Sequence, residues 1–188
     1  MANLILASSS PRRKELLEQV GLKFEIFSPD VDESVLLNES IEQYVERLAR
    51  AKAEAVLKQF PYAIVIAADT SLSLDGQIIG KPDSKQHAFE IWSSISGRKH
   101  EIFSGICVAS AKINISQIVC TQVEFQVLNP IDMEAYWETG EPLGKAGAYA
   151  IQGYGARFIP RIEGSYSNVV GLPLHETMQL YAKVMNTV

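Results

Sequence analysis

The sequence has 188 residues, with 17 basic and 22 acidic side chains and a net charge of −5. Its 47% hydrophobic and 21% charged residues exclude a disordered chain, and no apolar run approaches the ~18 residues of a membrane span. The acidic balance argues against a nucleic-acid polymer as partner, and two cysteines are too few for a disulfide framework. The first residues, MANLILASSSPRR, lack the basic segment of a signal peptide. We therefore expect one cytoplasmic domain over residues 1–188, with no membrane association.

The first predicted helix follows a short apolar run, Leu4–Ala7. Ser10 and Pro11 favour a helix start, because serine caps the first turn and proline fits it without a backbone N–H. Gly21 is expected to end this helix, and its apolar side includes Val20.

A second, longer helix is predicted after a short strand at Phe24–Phe27. Ser40 and Gln43 form a capping-box pattern, and the helix is expected to run through Leu57 with Tyr44 on its apolar face.

The strongest strand signal is the nearly unbroken apolar run Tyr62–Ala68, which is typical of a strand buried on both faces. Asp75-Gly76 predicts a hairpin between Ser71–Leu74 and Gln77–Ile79. The remaining predicted elements are a helix at Ser84–Ser96, strands at Glu101–Ala109 and Ile115–Leu128, a short helix after Asn129, and a final amphipathic helix at Leu172–Met185. This mixture predicts an α/β fold with a mixed, twisted sheet flanked by helices.

The first candidate site is the strand-to-helix junction that contains Ser8, Ser10, Arg12 and Arg13. Small hydroxyl residues let the backbone approach a ligand, and a helix N-terminus offers unpaired N–H groups to an anion. Cations at this end oppose the helix dipole, and a bound phosphate would resolve the conflict. The alternative is an ordinary helix cap with two solvated arginines.

The second candidate is Asp69 with Thr70, directly after the apolar run. Ligands of open α/β sheets gather beyond the carboxyl ends of strands, and a carboxylate there is costly unless it is paired or metal-bound. The alternative is an aspartate that caps the chain reversal.

Three further charged residues have weaker local signals. Lys81 follows the hairpin and returns toward the level of Asp69, where it could neutralise a phosphate; a solvated lysine is the alternative. Glu33 lies in an acidic turn and offers a hard oxygen ligand for a divalent cation, unless the turn is acidic by chance. Composition alone predicts that Lys52, on the long helix, faces solvent.

The Gly-rich stretch, Lys145–Gly155, matches neither a P-loop nor a dinucleotide fingerprint. Its small residues permit close backbone approach, and the amide of Gln152 offers a donor and an acceptor that can read a base edge. A tight turn packed against the core is the alternative.

Several motifs together resemble the Maf family of nucleoside triphosphate pyrophosphatases, in the same order and over essentially the whole chain. They are SSSPRR, VDES, YVERLARAKA, AADT, GKP, AGAYAIQG and GSYSNVVGLPLHET. The resemblance implies a fold related to the inosine triphosphate pyrophosphatases, a cytoplasmic homodimer, and hydrolysis of a nucleoside triphosphate to the monophosphate and pyrophosphate with Mg or Mn. The chain is most similar to the branch that acts on dTTP and UTP.

Carried over by position, the resemblance implies a role for each candidate residue. Asp69 would be the general base and, with Glu33, a metal contact. The triphosphate would be held by Arg13, Lys52 and Lys81, with Ser8 and Ser10 nearby. The residues implied in base specificity are Arg12, Thr70 and Gln152.

Two other functions use the same residues or related chemistry. A regulator of cell division could bind the nucleotide without cleaving it, although the presence of both Glu33 and Asp69 favours the enzyme. A phosphoryl-transfer enzyme lacks support, because the sequence has no P-loop or kinase motif.

Overall fold

The computed structural model describes residues 3–187, in which strands and helices are mixed along the chain. The strands are β1 (Leu4–Leu6), β2 (Glu25–Ile26), β3 (Ile64–Leu74), β4 (Gln77–Ile79), β5 (Lys99–Ala109), β6 (Asn114–Glu124) and β7 (Arg161–Glu163). The helices are α1 (Pro11–Gln19), α2 (Ile41–Gln59), α3 (Lys85–Ile95), α4 (Pro130–Glu138), α5 (Tyr166–Val170) and α6 (Leu174–Met185). Two short 3₁₀ helices lie at Ala146–Ala148 and Tyr154–Phe158. None of the helices in residues 3–187 has the length and apolar character needed to cross a bilayer.

The strands form one mixed sheet in the order β2-β1-β3-β5-β6-β7, and β4 pairs with β3. Strand β1 runs parallel to β2 and β3, with Leu6 opposite Ile66, whereas β4 and β7 run antiparallel to β3 and β6. This arrangement confirms the predicted α/β class with a mixed sheet.

Contacts within the described chain define two compact units, each with its own apolar core. The first unit comprises residues 3–70, 104–119 and 171–187, and the second comprises residues 71–103 and 120–170. The first core contains mainly aliphatic side chains such as Ile5, Val56 and Val65. The second is rich in aromatic side chains, including Trp92, Phe125, Tyr136, Tyr149 and Phe158. The expectation of a single domain stays a prediction.

Two local sequence signals are confirmed in detail. Ser40 and Gln43 form the capping box, in which the Ser40 hydroxyl accepts a 3.3 Å bond from the Gln43 amide and the Gln43 side chain accepts one of 3.0 Å in return. Asp75 and Gly76 form the hairpin turn with φ angles of 53° and 78°, the left-handed region that this two-residue turn requires.

Other expected boundaries are wrong. The run that begins near Tyr62 continues through Asp69 to Leu74 as the single eleven-residue strand β3, because the Asp69 charge is neutralised within the fold and does not interrupt the ladder. Strand β6 ends at Glu124 rather than Leu128, and Val20 lies beyond α1 with 39% of its surface exposed.

Candidate functional site

A charged cluster lies inside the first unit, between α2, β3 and the loop before α2. The Lys52 ammonium lies 2.7 Å from Oδ1 of Asp69 and 2.7 Å from Oε1 of Glu33. Lys52 and Asp69 are each only 8% exposed, while the Glu33 side chain is 47% exposed. The cluster thus opens to solvent on the side of Glu33.

The expectation that Lys52 faces solvent is wrong. On α2, the buried positions include Leu48, Ala49, Lys52 and Val56, and spacings of three and four residues place them on one face of a helix. Lys52 therefore points its ammonium into the unit. A buried charge is tolerated when it is paired, and Asp69 supplies the partner.

Arg13, in the first turn of α1, is fixed by three hydrogen bonds. Its Nε donates to the Gly171 carbonyl at 2.8 Å, and its two terminal nitrogens donate to Ser8 Oγ at 3.2 Å and Thr70 Oγ1 at 3.3 Å. Burial lowers the pKa of Arg13, and Asp69 is the largest opposing influence. A guanidinium has five N–H donors, so three bonds leave two for a ligand.

The Thr70 hydroxyl is held from two further sides. It shares a 2.7 Å hydrogen bond with Ser104 Oγ and donates to the Gly171 carbonyl at 3.2 Å. Neither Ser104 nor Gly171 was singled out by the sequence. The available signal for Gly171 was its place in the C-terminal motif, where its φ of 130° suits glycine.

The N-terminus of α1 has several features that an anion site would use, and its role as such a site stays a prediction. Ser10 occupies the capping position, but its hydroxyl makes no capping bond, and the first turn contains no acidic residue. Instead, the Ser10 amide donates to Ser8 Oγ at 3.2 Å. Burial lowers the pKa of Arg12, with Glu15 opposing the shift. Positive charge is therefore concentrated at a helix end that itself favours an anion.

Tyr44 of α2 also borders the cluster, although the sequence placed it on an apolar face. Its hydroxyl donates to the Glu33 carbonyl at 3.0 Å. Burial, followed by the nearby Asp69 and Glu33 carboxylates, raises the pKa of Tyr44 to about 12. Tyr44 therefore stays neutral and fixes the backbone of the loop that carries Glu33.

The other two predicted site residues, Lys81 and Gln152, belong to the second unit, and both are exposed. The Gly147 amide donates to the Gly80 carbonyl at 3.1 Å, so this unit joins the loop of Lys81 to the Gly-rich stretch. Their cooperation with Asp69 stays a prediction.

The Gly-rich stretch is partly a core element and partly an exposed loop. Ala148, Tyr149 and Ile151 are buried, and the Trp92 indole donates to the Ala148 carbonyl at 3.0 Å. Gln152 follows directly and is exposed. The packed turn and the exposed amide, which the sequence offered as alternatives, therefore occur together.

The donor set of the first unit fits a divalent cation that also binds a substrate. Within residues 3–187, no group of three or more histidine, cysteine or acidic side chains converges on a point. Glu33 and Asp69 nevertheless approach the same ammonium. Mg²⁺ is commonly held by one or two carboxylates together with substrate phosphates, so two carboxylates meet its protein-side requirement.

Comparisons with known proteins agree on one family. The family model described as Maf-like protein matches residues 3–184. A dTTP/UTP pyrophosphatase from Acinetobacter baylyi is 68% identical over 179 residues, covering 95% of this chain and 98% of that protein. A dTTP/UTP pyrophosphatase from Vibrio cholerae is 47% identical over 184 residues, covering 97% and 98%.

Solved structures with low sequence identity share the fold. A HAM1 protein from Coxiella burnetii aligns over 100% of both chains with a TM-score of 0.55 and 15% identity. The Staphylococcus aureus Ham1 protein aligns over 98% of each chain with a TM-score of 0.51 and 16% identity. At these identities the likeness supports the α/β fold alone.

Proposed function

Because the chain belongs to the Maf family, we propose that it is a nucleoside triphosphate pyrophosphatase that hydrolyses dTTP and UTP to the monophosphate and pyrophosphate. The similar proteins named dTTP/UTP pyrophosphatase support this substrate class. The observation that carries the chemistry is the pair of carboxylates, Glu33 and Asp69, that share the Lys52 ammonium at 2.7 Å.

In this proposal Asp69 is the general base. A water oxygen attacks the α-phosphorus, the bond from that phosphorus to the bridging oxygen breaks, and pyrophosphate leaves. Asp69 takes the proton of the attacking water, as a positioned carboxylate can. Lys52 bonds Oδ1 of Asp69, which leaves Oδ2 to accept from the water.

The anionic triphosphate is held by a local excess of cations, despite the net charge of −5. The fixed guanidinium of Arg13 presents its two remaining donors to phosphate oxygens, an arrangement suited to bidentate binding. Lys52 and Lys81 add positive charge, and Ser8 and Ser10 line the approach to the helix N-terminus. Stabilising the charge that develops on pyrophosphate accelerates its departure.

Glu33 and Asp69 would hold the divalent cation, Mg or Mn. When bound, such an ion supplies charge neutralisation to the phosphate oxygens. Lys52 holds the two carboxylates close together through its 2.7 Å contacts to both, and carboxylate oxygens are ligands that a hard cation prefers.

Base selection is assigned to Arg12, Thr70 and Gln152. Uracil and thymine share the same hydrogen-bonding edge, and the Gln152 amide can donate to it and accept from it. Such readout does not involve the 5-methyl group, which accounts for the acceptance of both bases. Family membership further supports a cytoplasmic homodimer, and the oligomeric state can be checked by sedimentation.

The experiment is a panel of common nucleoside triphosphates incubated with the purified protein, with and without Mg²⁺ or Mn²⁺. We expect release of pyrophosphate that is fastest for dTTP and UTP and that depends on the cation. In water labelled with a heavy oxygen isotope, the label should enter the nucleoside monophosphate, because attack is at the α-phosphorus.

Two outcomes contradict the proposal. Absence of pyrophosphate with every nucleotide, together with tight nucleotide binding, favours the non-cleaving regulator. Entry of the label into the pyrophosphate places the attack at the β-phosphorus and removes the proposed chemistry.

A further inference from the structure

We propose that Glu141 sets the base selectivity of the enzyme by fixing the loop Ala150–Gly155 that presents Gln152, with Tyr136 as its partner. The inference rests on the proposed function. Glu141 acts here as a positioning residue, since the proposal gives it no contact with the nucleotide.

The Glu141 carboxylate receives three hydrogen bonds from two segments of the second unit, α4 and the loop that follows Gln152. Oε1 accepts from the Tyr136 hydroxyl at 2.6 Å and from the Gly155 amide at 2.9 Å, and Oε2 accepts from the Tyr154 amide at 2.7 Å. An ionised carboxylate is an acceptor only, with room for this number of donors. One side chain thus satisfies two backbone amides at the C-terminal end of the loop.

The N-terminal end of the loop is tied to the same pair. The Ala150 amide donates to the Tyr136 hydroxyl at 3.0 Å, while that hydroxyl donates to Glu141. The chain from Ala150 to Gly155 is therefore closed at both ends by Tyr136 and Glu141. Gln152 lies between the two attachment points and is exposed.

Two glycines in the loop are explained by this closure. A Cβ on Gly153 would lie 1.8 Å from Oε2 of Glu141, and a Cβ on Gly155 would lie 2.5 Å from the Tyr136 hydroxyl. Real Cβ atoms do not approach other atoms so closely. Glycine at these positions lets the backbone close onto the carboxylate and the phenol.

Tyr136 and Glu141 are themselves held by packed neighbours. Tyr136 is fully buried and stacks between Trp92, at 5.1 Å, and Tyr154, at 5.7 Å. Burial alone would raise the pKa of Glu141, but the bonds from Tyr136, Gly155 and Tyr154 outweigh it and lower the pKa. The carboxylate is therefore ionised at neutral pH, the state in which it accepts all three bonds.

The test compares Glu141→Gln with Gln152→Ala and with the double variant. A glutamine keeps the shape but replaces one acceptor oxygen by a donor, so one loop amide loses its partner. We expect the ratio of kcat/KM for UTP to that for CTP to fall by about tenfold in Glu141→Gln, as hydrogen bonds to a charged group suggest. The loss should come from a raised KM for UTP at nearly unchanged kcat.

The double variant separates positioning from general support of the fold. If Glu141 acts through Gln152, the double variant should be no less selective than Gln152→Ala alone. A purely structural role would lower the rates for all nucleotides together and add to the Gln152 effect. Thermal unfolding of each variant shows whether it is folded, and Tyr136→Phe provides a second variant that removes only the bridging hydroxyl.

Glu138→Gln is the matched control. Glu138 ends α4, its side chain is 70% exposed, and it lies 3.8 Å from Lys85, so its selectivity should equal that of the parent protein. If Glu141→Gln and Tyr136→Phe both keep the preference for UTP while Gln152→Ala loses it, the inference about Glu141 is overturned and the proposed function is not. If the parent protein shows no preference for UTP over CTP, the proposed function itself is contradicted.

Discussion

The two units hold their predicted nucleotide contacts by different physical means. In the first, Arg13, Lys52 and Asp69 project from regular helices and a strand and are fixed by charged hydrogen bonds. In the second, Lys81 and Gln152 lie in exposed loops, and the Gln152 loop is held by the Glu141 carboxylate beside an aromatic core. In the proposed function the difference matches the tasks of the two units, because every triphosphate presents similar charges whereas bases differ in detail. Fixed charge suits the first task, and a loop held by directed hydrogen bonds suits the second.

The two units also differ in how their buried titratable groups are stabilised. Arg13 and Lys52 face Glu33 and Asp69, so two cations balance two carboxylates in the first unit. The second unit keeps its buried titratable rings uncharged. Burial lowers the pKa of His100 to about 4 and raises the pKa of Tyr149. We therefore expect that removing a charged group impairs the first unit, and that protonation of a buried ring destabilises the second.

The largest effect should come from Asp69→Asn. Loss of a positioned general base costs about a hundredfold to ten-thousandfold in rate, so kcat should fall within this range while KM for dTTP changes little. Steady-state kinetics with dTTP and Mg²⁺ measure both quantities. Asp75→Asn, in the exposed hairpin turn, is the matched control and should retain full activity. Near-parental kcat in Asp69→Asn would remove Asp69 from the base role.

Lys52→Met should have the next largest effect and acts on stability as well as activity. It leaves Glu33 and the buried Asp69 without their shared ammonium, and breaking a buried ion pair costs about 3–5 kcal/mol. Urea unfolding at neutral pH measures the loss. Lys14→Met is the control, since the Lys14–Glu18 pair is exposed with a separation of 3.7 Å and should contribute less than about 1 kcal/mol. Equal stability of the two variants would show that the ion pairs of Lys52 contribute little to the free energy of unfolding.

Acid should destabilise the second unit through His100, which is 2% exposed with Nδ1 unpartnered and Nε2 2.7 Å from the Tyr149 hydroxyl. Its folded pKa of about 4 lies below the ordinary histidine value of 6.5, because burial disfavours the charged ring. Between these values the unfolded chain binds more protons, so stability is full above pH 6.5 and falls as the pH drops toward 4. The loss should reach about 3 kcal/mol near pH 4.

His100→Gln tests this contribution, because glutamine does not titrate and retains a polar group for Tyr149. Its urea-unfolding free energy should fall less than that of the parent protein between pH 7.5 and 4.5. His175→Gln, at an exposed position of α6, should behave as the parent protein does. An identical pH dependence in all three proteins would show that His100 does not sense acid in the second unit.

The sequence predicted those parts of the fold that depend on neighbouring residues. The capping box at Ser40 and the hairpin at Asp75-Gly76 need only local geometry, and both are present. The continuation of β3 through Asp69 could not be predicted locally, because it requires the Lys52 ammonium, seventeen positions away. The spacing of Lys52 to Leu48 and Val56 indicates a buried position, but the prediction followed its charge and placed it in solvent.

The candidate site was predicted only as a set of chemical groups. Arg13, Asp69 and Lys52 were named, but their hydrogen bonds to distant residues were not. Ser104 and Glu141 are ordinary polar residues in sequence, and their positions relative to Thr70 and Gly155 arise only from the fold. Side chains that position other side chains are therefore the class that sequence reasoning missed in both units.

The smallest effect should come from Ser104→Ala, which removes one of the bonds to Thr70 in the first unit. Thr70 keeps its bond to the Gly171 carbonyl, so a neutral hydrogen bond worth about 1 kcal/mol is lost. KM for dTTP should rise by up to about fivefold with kcat unchanged. Ser73→Ala, at another buried serine that is 2% exposed, should leave KM unchanged. An effect as large as that of Glu141→Gln would mean that neutral hydrogen bonds contribute as much in the first unit as bonds to a carboxylate do in the second, because ion pairing alone would leave Thr70 insensitive to Ser104.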